Sequence, residues 1–148
     1  MIQGQWFSPG KDVSPVLPVR LAVFDRGADA LDSESWNALV FEDNLPAACG
    51  RIWYRSGVYW LSDIGVLESR RGHHLGDLVL RLLLFKAQSH AASEVRLVSP
   101  DQNAGFFARL GFQPVSSSNG KTEMMIRGEN IQLDNCSSCP RVNCPNRQ

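Results

Sequence analysis

The 148-residue chain has no apolar run long enough to cross a bilayer. Its most apolar segment, Leu78 to Phe85, is broken by Arg81 and falls far short of the roughly 20 residues that a spanning helix needs. An excess of charge is missing too: fifteen Lys and Arg offset fifteen Asp and Glu. No global field then favours nucleic acid or an anionic membrane, and basic residues are not interleaved with aromatics as in nucleic-acid binders. The opening Met1-Ile2-Gln3-Gly4-Gln5 has neither the basic region nor the apolar region of a secretory signal. These absences predict a cytoplasmic protein with no membrane and no nucleic-acid partner. Cysteine is sparse: Cys49 stands alone, and Cys136, Cys139 and Cys144 lie near the end in a C-x2-C-x4-C spacing. A structural zinc site normally takes four ligands and no fourth is evident locally, so no metal-ligating residue is assigned. A fourth ligand from Cys49, a histidine or a second chain, a disulfide, a redox role and an inert tail all stay open. Tyrosine is scarcer still, at Tyr54 and Tyr59 only.

What is present reads as one domain over residues 1–127, followed by a polar tail over 128–148 that contains Pro140 and Pro145. Pro9, Pro15 and Pro18, with Gly4 and Gly10, make residues 1–18 an irregular arm. Val19 to Phe24 is a short helix or strand, and Asp29 to Glu34 a polar loop. Strands follow over Trp36–Phe41, Ala47–Tyr54 and Val58–Val66, joined by short turns as an antiparallel meander. Leu78 to Phe85 is rich in straight-chain apolar residues and is helix, buried over most of its circumference, with Asp77 and Arg81 paired one turn apart. Glu94 to Ser99 alternates as a strand, completing a strand–helix–strand unit with a parallel pair. A short helix from Asn103 to Leu110 is capped by Asp101 or Asn103 and stopped by Gly111. A strand then starts at Phe112, a hairpin turn spans Ser116 to Gly120, and Thr122 to Arg127 returns. The fold class is α/β, a mixed and largely antiparallel sheet flanked by helices.

Between strand and helix lies Glu68-Ser69-Arg70-Arg71-Gly72-His73-His74-Leu75-Gly76-Asp77. A glycine-containing basic turn that opens a helix gathers unpaired backbone N–H groups and the positive end of the helix dipole, which is a phosphate-binding arrangement. Arg70 and Arg71 add fixed charge.

Arg71-Gly72-His73-His74-Leu75-Gly76 resembles the acetyl-CoA pyrophosphate loop of the GCN5-related N-acetyltransferases (GNAT), whose pattern is Gln/Arg-x-x-Gly-x-Gly/Ala. Phe106-Phe107-Ala108-Arg109-Leu110-Gly111-Phe112 is similar to that family's Phe-Tyr-x-x-x-Gly-Phe segment. Thirty residues separate Gly76 from Phe106, room for a helix and a strand. The resemblance implies acyl transfer from acetyl-CoA, as cosubstrate, to a small-molecule or protein amine by direct attack in a ternary complex. A homodimer and, as the alternative, a non-catalytic acyl-CoA-sensing module are compatible with it. It implies that the backbone of Ile64, Gly65 and Val66 contacts the pantetheine arm and thioester. Arg71, Gly72, His73, His74, Leu75 and Gly76 would hold the pyrophosphate, with Asn103 and Phe106 on the far side of the cofactor. Asp63 is the expected general base, with Glu42, read as a solvated turn charge, as second carboxylate. Three departures stand out. His74 replaces a glycine, and either adds a charge-assisted phosphate bond or points to solvent from an ordinary helical conformation. Phe107 replaces the tyrosine that protonates the leaving thiolate, and Pro100 replaces a cofactor-contacting asparagine.

Overall fold

The computed structural model describes residues 1–133. Seven strands form one sheet: β1 (Ile2–Phe7), β2 (Ser35–Glu42), β3 (Leu45–Arg55), β4 (Val58–Val66), β5 (Glu94–Pro100), β6 (Gln113–Ser118) and β7 (Lys121–Arg127). Their spatial order is β1-β2-β3-β4-β5-β7-β6, and only the β4–β5 pair is parallel. Two-residue turns with positive φ at both positions close three hairpins: Asp43-Asn44, Ser56-Gly57 and Asn119-Gly120. That backbone matches the right-handed twist of the strands it joins, and Asn, Asp and Gly tolerate it best.

Three helices cover the sheet: α1 (Leu17–Phe24), α2 (Leu75–Ser89) and α3 (Ala104–Ala108). Helix α2 buries Leu75, Val79, Leu80, Leu83, Leu84 and Ala87 against Ala38, Val40, Ala48, Ile52, Leu61, Val95 and Leu97 of the strands. At about 1.5–3 kcal/mol for each large apolar side chain removed from water, this face is the main source of tertiary stability. Helix α1 lies on the other face, where Val16 and Val19 meet Phe7, Leu39 and Cys49. Among the described residues, no helix is long and apolar enough to cross a membrane.

The structure corrects several expectations. The irregular arm over 1–18 contains β1, which pairs with β2 from Ile2↔Glu42 to Phe7↔Asn37. The prolines start only at Pro9, so every N–H of Ile2 to Phe7 is free for a ladder. Of the two forms open to Val19 to Phe24 the chain takes the helix, with Pro18 in the first turn, where its missing N–H costs nothing. The polar stretch after Asp29 is a 3₁₀ turn over Ala30–Glu34, closed by a capping box between Asp29 and Asp32. Asn103 holds the N-cap position of α3 but its side chain makes no capping bond, and Asp101 instead accepts from Thr122 Oγ1 at 2.6 Å, a tertiary tie to β7. The third hairpin turn is Asn119-Gly120 alone, and Ser116 to Ser118 continue β6 beyond a bulge at Val115. The fold also runs past Arg127: Ile131 is buried, Leu133 packs on the core, and the Gly128 N–H donates to the Ser93 carbonyl. Cys136, Cys139 and Cys144 lie outside the described residues.

Candidate active site

Strand β4 carries one residue more than β3 where they pair: Cys49↔Gly65 is followed by Arg51↔Ser62. The extra residue sits at Asp63-Ile64, and Asp63 has φ of 55°, in the left-handed region. Such a bulge bends its strand and raises the local twist. On the opposite edge, the parallel pairing with β5 stops at Leu61↔Leu97, although β4 runs on to Val66 and β5 to Pro100. Two neighbouring strands therefore part, and the β5-facing edge of Ser62 to Val66 is left unpaired by the sheet. Ile64, Gly65 and Val66 lie on that parted stretch.

The gap leads to a cavity of about 460 Å³ lined by Val66, Arg70, Arg71, Gly72, His74, Leu75, Gly76, Asp77, Phe106, Arg109 and Leu110. Helix α2 starts there, so the N–H groups of its first turn face the space without intrahelical partners. Its N-cap is His74, with φ of 63° and ψ of 21° and no side-chain cap. His74 is exposed, but in a left-handed conformation that a glycine would hold without strain; the expectation of an ordinary helical conformation is corrected. The other turn of the backbone is supplied by Gly72, at φ of 86°. A Cβ on Gly76 would stand 3.6 Å from both the Phe106 ring and Val66 Cγ2, so Gly76 forms the floor where α2, α3 and β4 meet.

Of the residues expected at the cofactor, Val66, Arg71, Gly72, His74, Leu75, Gly76 and Phe106 line the cavity. Ile64 and Gly65 do not; Gly65 is covered from the other face by Val23 and Phe24 of α1. His73 faces away, to Glu42, and Asn103 is exposed outside the lining. The Arg71 backbone N–H is taken by the Glu68 carbonyl at 3.3 Å, while its side-chain Nε donates to the Val66 carbonyl at 3.3 Å. Sequence reading did not pick out Arg109, whose guanidinium lies 5.9 Å from the Phe106 ring centre; its signal is the one-turn spacing from Phe106. Phe107 is buried and packs edge-on to Phe106 and Phe112, so the ring belongs to the core.

Asp63 lies in an ion cluster that no motif announced. One carboxylate oxygen pairs with Arg26, and the other lies 3.1 Å from Arg51 Nη2. Arg51 also reaches Asp29, Asp32 and Ser62 Oγ. Behind it, Arg20 is fully buried and grips both oxygens of Asp32 at 2.9 and 3.1 Å, with Asn37 Oδ1 at 2.8 Å. Burial works to raise the Asp32 pKa, but the Arg20 bonds and the Asp29 N–H outweigh it and hold the carboxyl down to about 2. Three arginines and three aspartates thus fasten α1, the 3₁₀ turn, β3 and the bulge of β4 together. Cys49 sits beside them, its thiol 3.3 Å from the Asp63 carbonyl; burial pushes its pKa up to about 11. Glu42 is no solvated turn charge: its side chain is 14 % exposed and bonded to Arg70 and His73. Tyr54 and Tyr59 meet at the other end of the β3–β4 hairpin, their rings tilted by 60° and their centres 4.9 Å apart.

Residues 5–112, most of the described chain, match the acetyltransferase (GNAT) family. The chain belongs to that family. It is 28 % identical over 88 residues to an uncharacterised N-acetyltransferase, YjcF, of Bacillus subtilis (strain 168), the match taking in 60 % of this chain. The matched part spans 63 % of that relative's length. An acyl-CoA N-acyltransferase of Pseudomonas aeruginosa shares the fold, with a TM-score of 0.75 at 17 % identity, over 84 % of this chain and 99 % of its own. So does a GNAT family acetyltransferase of Elizabethkingia anophelis solved with acetyl-CoA bound, with a TM-score of 0.69 at 12 % identity, over 85 % and 97 % of the two chains. The GNAT fold, a mixed seven-stranded sheet flanked by helices, is thereby that of this protein.

Proposed function

We propose that the protein transfers an acetyl or other acyl group from acyl-CoA to a small-molecule or protein amine, both substrates being bound together. The observation that carries this reading is the parting of β4 and β5 next to the cavity at the start of α2. An extended pantetheine arm is a chain of amides, and the unpaired edge of β4 offers it strand-like hydrogen bonds. A pyrophosphate fits the opposite requirement, several N–H donors and positive charge in a small volume, which the backbone of Gly72 to Asp77 and the side chains of Arg71 and Arg109 supply. The acetyl-CoA held by the Elizabethkingia anophelis relative supports the same assignment.

In this reaction the amine nitrogen attacks the thioester carbonyl carbon, the C–S bond breaks, and its electron pair leaves on sulfur. A backbone N–H on β4 near Val66 stabilises the carbonyl oxygen as negative charge grows there, and holding both substrates in line contributes much of the acceleration. Phe107 has no proton to give, so the sulfur leaves as thiolate or takes its proton from water. Asp63 is the single carboxylate on β4, but it does not line the cavity and both its oxygens are occupied by guanidinium groups. It acts as base only after the more exposed partner, Arg26, has swung away; with that pair intact, the ammonium proton passes to water and Asp63 holds the bulge. The buried ring at Phe107 also favours a second reading, a GNAT-fold module that binds acyl-CoA without turnover.

Calorimetric titration with acetyl-CoA, beside a Gly76→Asp variant, tests the assignment. An acidic residue in the first turn suits the helix dipole but sets a charge against phosphate. The variant should stay folded, with at most a modest loss of stability from the carboxylate beside Phe106 and Val66, and bind acetyl-CoA at least about 30-fold more weakly. No binding by the natural chain would end both readings. Binding without release of CoA thiol across a panel of amines would leave the sensing module.

A further inference from the structure

The phosphate loop is held by a side chain from a different part of the sheet. Between Arg71 and His74 the chain has, among the described residues, no strand pairing; Arg71 Nε reaches the Val66 carbonyl at 3.3 Å, and the turn before rests on Arg70 N–H to the Leu67 carbonyl at 2.9 Å and Arg71 N–H to the Glu68 carbonyl at 3.3 Å. Two of its residues nevertheless reach the same anchor. Arg70 Nη1 lies 3.0 Å from Glu42 Oε1, and His73 Nδ1 lies 2.9 and 3.0 Å from the two carboxylate oxygens. Arg70 and His73 flank Arg71-Gly72, so a single carboxylate at the end of β2 ties down both sides of the segment that turns into the cavity. Because a carboxylate accepts, the His73 Nδ1 carries the proton in this arrangement. The anchor is itself rigid: Glu42 pairs with Ile2 on β1 and Leu45 on β3, beside the tight Asp43-Asn44 turn.

We infer that Glu42 is a positioning residue for the phosphate site, clamping the loop through Arg70 and His73 so that its backbone donors are already aimed before acyl-CoA arrives. The inference rests on the acyl-CoA reading above. It is not obvious from charge alone, because a carboxylate close to a phosphate site opposes phosphate binding. What Glu42 contributes is order. A loop with left-handed backbone at Gly72 and His74 has many alternative conformations, and fixing it in advance removes that entropy from the binding step. The two views predict opposite signs, which makes them separable.

The test uses the full chain with Glu42→Gln, Glu42→Ala and, as a charge control on the same turn, Glu68→Gln; Glu68 is exposed. Two quantities are read: the acetyl-CoA dissociation constant by calorimetry, and amide hydrogen exchange in the ligand-free protein at Arg70 and Arg71, the loop N–H groups bonded to the Leu67 and Glu68 carbonyls. The clamp predicts a dissociation constant raised about tenfold in Glu42→Ala and less in Glu42→Gln, which keeps an acceptor for both partners. It also predicts faster exchange confined to the loop, and no change beyond about twofold in Glu68→Gln. Unchanged loop exchange in Glu42→Ala overturns the clamp, as does unchanged or tightened binding. Should the natural chain bind no acetyl-CoA, the transferase reading falls, and the exchange experiment alone decides whether Glu42 orders the loop.

Discussion

Asp63 and His74 both hold left-handed backbone, at φ of 55° and 63°, and both sit where the site changes direction. That conformation costs an L-residue about 1–2 kcal/mol, less for Asp and His than for branched side chains. Each position is fixed by neighbours: Asp63 by Arg26 and Arg51, and His74 by the start of α2 behind it and the anchored His73 before it. Residue types told part of this. Arginine and glycine beside a helix start marked the loop, but no spacing joined Arg20, Arg26 and Arg51 to Asp29, Asp32 and Asp63, which lie up to 43 positions apart and meet only when α1 lands on the sheet. The cluster has a testable pH signature. Asp32 has a folded-state pKa depressed to about 2, so the unfolded chain takes up the proton first as the pH falls. Its contribution is complete above about pH 4, the ordinary carboxyl value, and is lost as the pH drops toward about 2. Acid titration of stability should therefore fall steeply in that window, and Asp32→Asn should flatten the fall while lowering stability at neutral pH by about 3–5 kcal/mol, since Arg20 is left buried without its counter-charge.

Helix α2 is the element on which the site depends, since its N-terminus faces the cavity while its apolar face holds the sheet. Its approach to β3 is set at Gly50, opposite the bulge, where a Cβ would stand 2.6 Å from Val79 Cγ1 and 2.9 Å from Leu83 Cδ1. Gly50→Val should lower stability by about 1–3 kcal/mol, measured by urea unfolding, and shift the start of α2 enough to weaken acetyl-CoA binding. The strands on either side were readable from alternation, and the helix from its run of leucines. Its first turn was not, because Leu75 to Asp77 join a basic turn with no cap residue at His74. The 3₁₀ turn after Asp29 was read as loop for a similar reason: its Asp32 faces arginines inside the protein rather than water, as the N-cap Asp29 faces Arg51.

The whole chain closes its core with residues that composition assigned to a tail. Ile131 is buried and Leu133 packs on the main core, while Gln88 Nε2 donates to the Ile131 carbonyl at 3.4 Å. A chain ended at Arg127 should be about 2–4 kcal/mol less stable in urea than one ended at Leu133, the amount expected for exposing one large buried aliphatic side chain and leaving its space empty. The sequence by itself determined the strand and helix order from β2 to β7, the parallel pair across α2 and the family, because those follow from local periodicity and from motifs confined to a few consecutive residues. Tertiary structure decided the rest. The parting of β4 from β5, the pairing of Asp63 with two arginines, the removal of Phe107 into the core and the hold of Glu42 on the loop each depend on groups far apart in the chain. Their positions are set by which faces of α1 and α2 pack on the sheet, and no local pattern of residue types encodes a contact made across that packing.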